Sequence, residues 1–104
     1  MVVTIFRSQL SEKYLDEYQS IAPDMLELAQ SMPGFISFKS FSSADGERVS
    51  IIEFETLELL QAWRDHPEHQ KAQELGREHF YTEYKIQVCE PLYQREVKSE
   101  PEGA

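Results

Sequence analysis

Two spacings of apolar residues alternate along this chain, and their order constrains the fold more than any other feature. In residues 2 to 9, Val3 and Ile5 alternate with Val2 and Phe6, which predicts a strand that is covered on both faces. Apolar residues then recur at steps of three and four, which is the spacing of one side of a helix. Ser11 precedes this stripe as its predicted N-cap. The stripe comprises Tyr14, Tyr18, Ile21, Met25, Leu28 and Met32.

Prolines mark where this first helix is interrupted and where it ends. Pro23 lies inside the stripe and lacks the backbone N–H that a helical residue donates. We therefore expect the helix to kink or restart near Ile21 and Ala22. Pro33 and Gly34 then end it, because proline cannot continue the hydrogen-bond ladder and glycine accepts the turn.

The next segment predicts a β-hairpin. Residues 35 to 42 and residues 47 to 55 are predicted strands with apolar residues on both faces. In the first, Phe35 and Phe41 alternate with Ile36 and Phe38, and in the second, Ile52 and Phe54 alternate with Val49 and Ile51. Asp45-Gly46 lies between them and is typical of a tight turn that needs a positive φ. Thr56 follows the hairpin and is the predicted N-cap of a second helix.

The second helix and a last strand complete the order. His66-Pro67 interrupts the helix, a short further piece runs over residues 68 to 75, and Gly76 ends it. Residues 80 to 92 form the last predicted strand. The order β-α-β-β-α-β predicts the α+β class, in a ferredoxin-like arrangement with an antiparallel four-stranded sheet and two helices on one face.

Composition excludes several classes of function. The chain has 104 residues, 40% of them hydrophobic, which fits one domain with one core. Its 10 Lys and Arg stand against 19 Asp and Glu, a formal net charge of -9, so we expect neither nucleic-acid nor membrane binding. The first ten residues resemble a strand rather than a secretory signal, and Cys89 is the single cysteine. These features predict a cytoplasmic protein.

One uncovered sheet face predicts a homodimer. Two helices cover one face, and the other face is expected to carry Ile51, Tyr81, Cys89 and either Phe35 or its neighbours. A second copy packed sheet against sheet would remove this apolar surface from water. A covering ligand or a different partner would satisfy the same requirement.

Four short motifs, taken in their order, resemble a known family. They are Met32-Pro33-Gly34-Phe35, then Glu53-Phe54-Glu55, then Leu60-x-x-Trp63-x-x-His66-Pro67-x-His69, and Tyr84-x-Ile86-x-Val88. Over residues 1 to 93 the chain is similar to antibiotic biosynthesis monooxygenase domains, which are small dimeric α+β barrels. The resemblance implies a pocket between helices and sheet, in which a small aromatic or quinol-type substrate is oxidised. Residues 94 to 104 remain as a polar tail that we expect to be disordered.

The chain departs from this family in its polar residues. The resemblance implies that cofactor-free members deprotonate an aromatic alcohol in a dry pocket, after which the carbanion reduces oxygen and recombines with it. Well-understood members use an asparagine, and this chain has none. Gln73 stands where the haem-degrading branch has its axial histidine. We therefore expect no haem, metal or other cofactor. A non-catalytic dimeric module that binds a small ligand stays open as the alternative.

Trp63, His66 and His69 are the predicted catalytic residues. The resemblance makes Trp63 a pocket wall, although its spacing in the second helix is also that of a core aromatic residue. The two histidines could exchange protons near neutral pH or bind a metal, but the sequence offers no evident third ligand. Their ordinary alternatives are that His66 caps the helix begun by Pro67 and that His69 lies at the surface.

Aromatic side chains make up the predicted substrate-binding set. Rings at strand and helix spacing can line a pocket between the two layers, although the same spacing is typical of core residues. The set comprises Tyr14, Phe54, Trp63, Tyr81 and Tyr84.

Overall fold

The computed structural model describes residues 1 to 99 and confirms the predicted α+β, ferredoxin-like fold. The elements are β1 (Val2–Leu10), a 3₁₀ turn (Glu12–Tyr14), α1 (Leu15–Ser31), β2 (Phe35–Ser42), β3 (Arg48–Phe54), α2 (Leu57–Arg64), α3 (Pro67–Leu75), a π-helical turn (Gly76–Phe80) and β4 (Tyr81–Cys89). The strands form one antiparallel sheet in the order β2-β3-β1-β4. No helix within residues 1 to 99 is long and apolar enough to cross a membrane.

The pairing register sorts the sheet into a helix-side face and an outer face, because successive strand residues point to opposite sides. Four rows of side chains cross the helix-side face, and they change from apolar to hydroxyl-bearing and cationic. The first row is Phe35, Phe54 and Val2; the second is Phe38, Ile52, Thr4 and Val88; the third is Ser40, Ser50, Phe6 and Ile86; the fourth is Ser42, Arg48, Ser8 and Tyr84.

The predicted N-cap Thr56 starts α2, whereas the predicted N-cap Ser11 starts the 3₁₀ turn before α1, which itself begins at Leu15 without a side-chain cap. The Ser11 hydroxyl accepts a hydrogen bond from the Lys13 N–H, and the Thr56 hydroxyl accepts one from the Leu59 N–H at 3.2 Å. The predicted restart of the first helix at Pro23 was wrong, because α1 continues through this residue without a break. A proline removes only one hydrogen bond of the helix, and tertiary packing supplies most helical stability in proteins.

A register shift overturns the predicted position of Tyr81 on the outer face. The pairing of β1 with β4 slips between Gln9 and Leu10, so that Leu10 faces Tyr81. A one-residue shift moves a side chain to the other side of the sheet. Tyr81 therefore lies on the helix side, together with Tyr84. A second shift, after Phe35, likewise places that residue opposite Phe54 on the helix side.

The hydrophobic core lies at the first two rows of the helix-side face. Its buried members come from both layers and are Val2, Ala29, Ile52, Phe54, Leu60 and Trp63. Phe54 and Leu60 are fully buried, and they join β3 to α2. Trp63 packs in the same cluster, so the core role that its spacing allows is confirmed. The third and fourth rows lie outside this cluster.

The end of the chain differs from its predicted boundaries. Gly76 does not end the helical region, because a π-helical turn continues to Phe80. At Gly76 a Cβ would lie 2.7 Å from Cε2 of Tyr81, so this close contact requires glycine. The last strand is Tyr81–Cys89, shorter than the predicted residues 80 to 92. Of the predicted polar tail, residues 94 to 99 have no helix or strand, and residues 100 to 104 lie outside the described part of the chain.

We predict that Gly34→Ala strongly destabilises the fold. Gly34 links α1 to β2 at a φ of 81°, and an added Cβ would clash with the Leu59 side chain. Backbone strain and the clash together should lower the free energy of unfolding by about 3 kcal/mol in urea denaturation.

Gly46→Ala is the matched control for this prediction. Gly46 also has a positive φ, 88°, but its added Cβ would meet only Gln9 Oε1, at 3.7 Å. Gly46→Ala should lower the free energy of unfolding only by the backbone strain, about 1 kcal/mol. Equal losses for the two variants would show that contact with Leu59 contributes nothing.

Candidate functional site

A cavity of about 710 Å³ lies between the helices and the helix-side face of the sheet. Its floor belongs mainly to the second, third and fourth rows, and its walls come from α1, α2, α3 and the π-helical turn. The lining residues on the sheet are Thr4, Phe6, Ser8, Phe38, Ser40, Arg48, Ser50, Ile52, Tyr81, Tyr84 and Ile86. Those on the helices and the turn are Tyr18, Gln19, Ile21, Ala22, Pro23, Met25, Leu26, Trp63, Arg64, His69, Ala72, Gln73, Arg77 and Phe80.

Trp63 forms the boundary between this cavity and the core. Its ring stacks on Phe54, with centroids 5.7 Å apart, and on His69, with centroids 4.2 Å apart. The Phe38 ring meets it edge-on at 6.2 Å. Only 4% of Trp63 is exposed, and within residues 1 to 99 its indole Nε1 has no hydrogen-bond partner. The indole is therefore a rigid aromatic wall with a free donor.

The position of His69 is fixed by a side-chain amide. Gln73 Nε2 lies 3.3 Å from the Arg64 carbonyl oxygen and 3.1 Å from His69 Nδ1. Because a carbonyl only accepts, the amide must present its NH₂ group here, and the two hydrogens serve the two acceptors. With this partner the neutral imidazole carries its proton on Nε2. In the other tautomer Nδ1 can donate to the Arg64 carbonyl instead, which leaves Nε2 as the proton acceptor.

Burial lowers the pKa of His69 below its ordinary value of 6.5. The charges of Arg64 and His66 act in the same direction, whereas the Arg64 carbonyl, which can accept a hydrogen bond from a protonated ring, opposes them. At neutral pH His69 is therefore an uncharged imidazole, which can take up a proton from a bound molecule.

A tyrosine pair lies beside an arginine elsewhere in the lining. Burial is the main cause that raises the pKa of Tyr81 far above its ordinary value, and the nearby Tyr18 hydroxyl adds to it. The positive charge of Arg48 acts in the opposite direction. The guanidinium carbon of Arg48 lies 5.4 Å from the centre of the Tyr18 ring. Tyr81 therefore stays protonated at neutral pH and remains a hydrogen-bond donor.

The structure brings four of the seven predicted site residues together in the lining. They are Trp63, His69, Tyr81 and Tyr84. His66 lies outside it and caps α3, where its Nδ1 accepts a hydrogen bond from the Glu68 N–H at 3.2 Å. Tyr14 stacks on His79 with centroids 4.3 Å apart, and Phe54 lies in the core behind Trp63.

Sequence reasoning missed Arg48 and Phe38 as lining residues. Arg48 shares the strand spacing of Ile52 and Phe54, so its place on their face was visible in the sequence. Simple alternation places Phe38 on the same face as Ile36 and Ser40. It does not show whether the helices cover that face, because this depends on the pairing register of the strands.

The described part of the chain offers no evident metal centre. Within residues 1 to 99, no three His, Cys, Asp or Glu side chains are grouped so that they could hold an ion. The predicted histidine pair also separates, because His66 is engaged at the helix start while His69 stacks on Trp63.

Comparison with known proteins gives one family. The antibiotic biosynthesis monooxygenase family model matches residues 1 to 75. The YqjZ protein of Bacillus subtilis (strain 168) is 35% identical over 91 residues, which are 88% of this chain and 79% of that protein.

Solved structures share the fold. Rv0793 from Mycobacterium tuberculosis gives a TM-score of 0.80 at 20% identity, covering 91% of this chain and 98% of that one. A variant of SnoaB, a cofactor-independent oxygenase from Streptomyces nogalater, gives 0.76 at 13% identity, covering 89% and 94%. At these identities the likeness concerns the fold alone.

We predict that His69 makes stability depend on pH. Between its lowered folded pKa and 6.5, the unfolded chain binds a proton that the folded chain does not, so stability falls as the pH falls through this window. Urea denaturation at about pH 7.5 and about pH 5.5 should show this loss, and His69→Gln should reduce it. The same pH dependence in both proteins would contradict the prediction.

Proposed function

Because this chain belongs to the antibiotic biosynthesis monooxygenase family, we propose that it oxidises a small aromatic or quinol-type substrate with molecular oxygen in the cavity beside Trp63. The single observation that carries the proposal is the stacked pair of Trp63 and a neutral His69 at the cavity wall. It combines an aromatic surface for the substrate with a proton acceptor beside it.

The size and chemistry of the cavity support this proposal. A volume of about 710 Å³ falls within the range of small-molecule sites, and the lining is mostly apolar and aromatic.

The proposed chemistry needs a base and a dry cavity rather than a bound cofactor. His69 takes the hydroxyl proton of an aromatic alcohol on Nε2, in the tautomer whose Nδ1 proton faces the Arg64 carbonyl, and an electron-rich anion is left. This anion passes one electron to oxygen, and the substrate radical combines with the superoxide to form a peroxide. The peroxide regains the proton from His69 and then loses water together with the hydrogen of the carbon that carries it, which leaves a quinone, so that one oxygen atom enters the product and the other enters water. Burial of the reacting atoms protects the intermediates.

We expect His69→Gln to lower oxygen uptake at least about a hundredfold, as is typical for loss of a general base. The measurement is kcat/KM for oxygen uptake over a panel of quinols and hydroxyaromatics. His66→Asn is the control, because asparagine preserves the helix cap at a position outside the cavity lining. The wild-type rate should fall only below the ordinary range of imidazole titration, since the pKa of His69 is lowered.

Two outcomes would count against the oxygenase proposal. One is wild-type oxygen uptake no greater than that of His69→Gln for every substrate in the panel. The other is an equal loss of rate in His66→Asn. Trp63→Ala is a poor probe here, because removing a core aromatic side chain costs about 3–5 kcal/mol of stability.

A second candidate function is binding without chemistry. It is favoured by the absence of any asparagine in the sequence, since the resemblance implies an asparagine in well-understood oxygenases of the family. Saturable binding of a hydroxyaromatic compound without oxygen uptake or product would select this function.

The same protein is proposed to be a homodimer that packs through the outer face of the sheet. Val3, Ile5, Val49 and Ile51 give this face an apolar centre without helices over it, and 54% of Phe41 is exposed beside them. Association of two copies would remove this surface from water.

We predict that Ile51→Glu yields a monomer where the wild-type protein is a dimer. Ile51 lies opposite both Ile5 and Lys39 at the centre of the outer face, and a carboxylate there would have to lose its water on association even with Lys39 beside it, which opposes association. Light scattering after size exclusion measures the change. Leu57→Glu, at an exposed position of α2, should remain dimeric. A monomeric wild-type protein at micromolar concentration would refute the dimer.

A further inference from the structure

Among residues 1 to 99, the charged side chains that line the cavity of this acidic protein are all arginines. Arg48, Arg64 and Arg77 all belong to the lining, whereas no Asp or Glu of residues 1 to 99 does. The whole chain carries 19 acidic residues against 10 basic ones, so this local excess is opposite in sign to the net charge of -9. A charge distribution of this kind attracts an anion into the cavity.

These three arginines are not neutralised by the described chain. Within residues 1 to 99, no carboxylate lies within 4.0 Å of their guanidinium groups. Arg7 on the outer face shows the contrast, because its Nη2 lies 2.9 Å from a carboxylate oxygen of Glu47. Arginine forms paired hydrogen bonds with planar oxyanions, so a partly buried guanidinium without such a partner is suited to binding one.

Arg48 has the best-defined surroundings of the three. It is half-buried in the fourth row of the sheet and rests on the Tyr18 ring. The neighbouring positions carry hydroxyl groups: Ser8 shares its row, and Ser40 and Ser50, whose Oγ atoms are 2.8 Å apart, lie in the third row. Tyr81 adds a phenol that stays protonated. This end of the cavity therefore offers hydrogen-bond donors around one fixed positive charge.

The opposite end of the floor is apolar. Phe38 and Ile52 in the second row meet Trp63, which closes the cavity toward the core. The cavity is thus aromatic at one end and cationic at the other, and a ligand that fits both ends must itself be amphiphilic.

We propose that the cavity selects an aromatic oxyanion, with its ring toward Trp63 and its charged group at Arg48. The inference rests on the proposed function in that both use the same cavity, and it deepens that function by naming the class of substrate. A carboxylate and a phosphate monoester share the required chemistry, since both present planar or forked oxygen pairs to a guanidinium.

Calorimetric titration of the full chain tests this with three probes of one shape. The probes are 2-naphthoate, 2-naphthyl phosphate and the uncharged 2-naphthamide. At least one of the two oxyanions should bind the wild-type protein about tenfold or more tightly than the amide does. Added salt should weaken the binding of the oxyanion and leave the binding of the amide unchanged, because salt screens only the charged interaction.

Two variants with the same change in net charge locate the site. Arg48→Gln should weaken the preferred oxyanion about tenfold to a hundredfold and change the amide about twofold or less. Arg7→Gln, on the outer face, should leave both affinities within about twofold. Circular dichroism melting checks that each variant is folded. If Arg48→Gln does not fold, the comparison of the three probes on the wild-type protein still tests the inference.

Three outcomes would overturn the inference. The first is equal or tighter binding of the amide, or no millimolar binding of either oxyanion. The second is an equal loss of both ligand types in Arg48→Gln. The third is the same loss in Arg7→Gln, which would make net charge alone responsible. Binding of the oxyanion probes, with no oxygen uptake for any quinol or hydroxyaromatic of the panel, would refute the oxygenase proposal alone. Oxygen uptake with neutral members of the panel, without binding of either oxyanion probe, would refute this inference alone.

Discussion

The contact between Trp63 and Phe54 is the interaction on which the rest of the site depends. It joins α2 to β3, because both rings belong to the buried cluster that holds the helix against the sheet. The next ring in the stack, His69, belongs to α3 and lines the cavity. One aromatic stack therefore runs from the core to the cavity wall. A change that disturbs the packing of the core is expected to move the candidate base as well.

A second dependence runs through Gln73. Its amide holds the Arg64 carbonyl and the His69 ring together, which ties the end of α2 to the middle of α3. The second helical region divides at His66-Pro67, so that α2 and α3 are separate segments. This break thus separates two segments that help to bury the imidazole, and burial keeps it uncharged against the opposing effect of the Arg64 carbonyl.

Local signals in the sequence predicted most helices and strands. Which face of the sheet a strand residue occupies depends on pairing with distant strands, and this was predicted less well. The capping hydroxyls of Ser11 and Thr56 act within a few residues, so their helices were foreseen. The position of Tyr81 depends on a one-residue slip between two strands that are distant in sequence, and alternation alone cannot show it. In the cavity lining, Trp63 and His69 share one motif of the sequence, while Arg48 was missed, because an arginine at strand spacing is also typical of an exposed face.

The gradation of rows across the helix-side face separates two kinds of evolutionary freedom. Residues of the first two rows belong largely to the core, and changes there threaten folding. Residues of the third and fourth rows line the cavity but lie outside that cluster, so they can vary while the scaffold persists. Substitutions at one end of the strands can therefore change the ligand while the fold is kept. This is expected when one fold carries different binding sites.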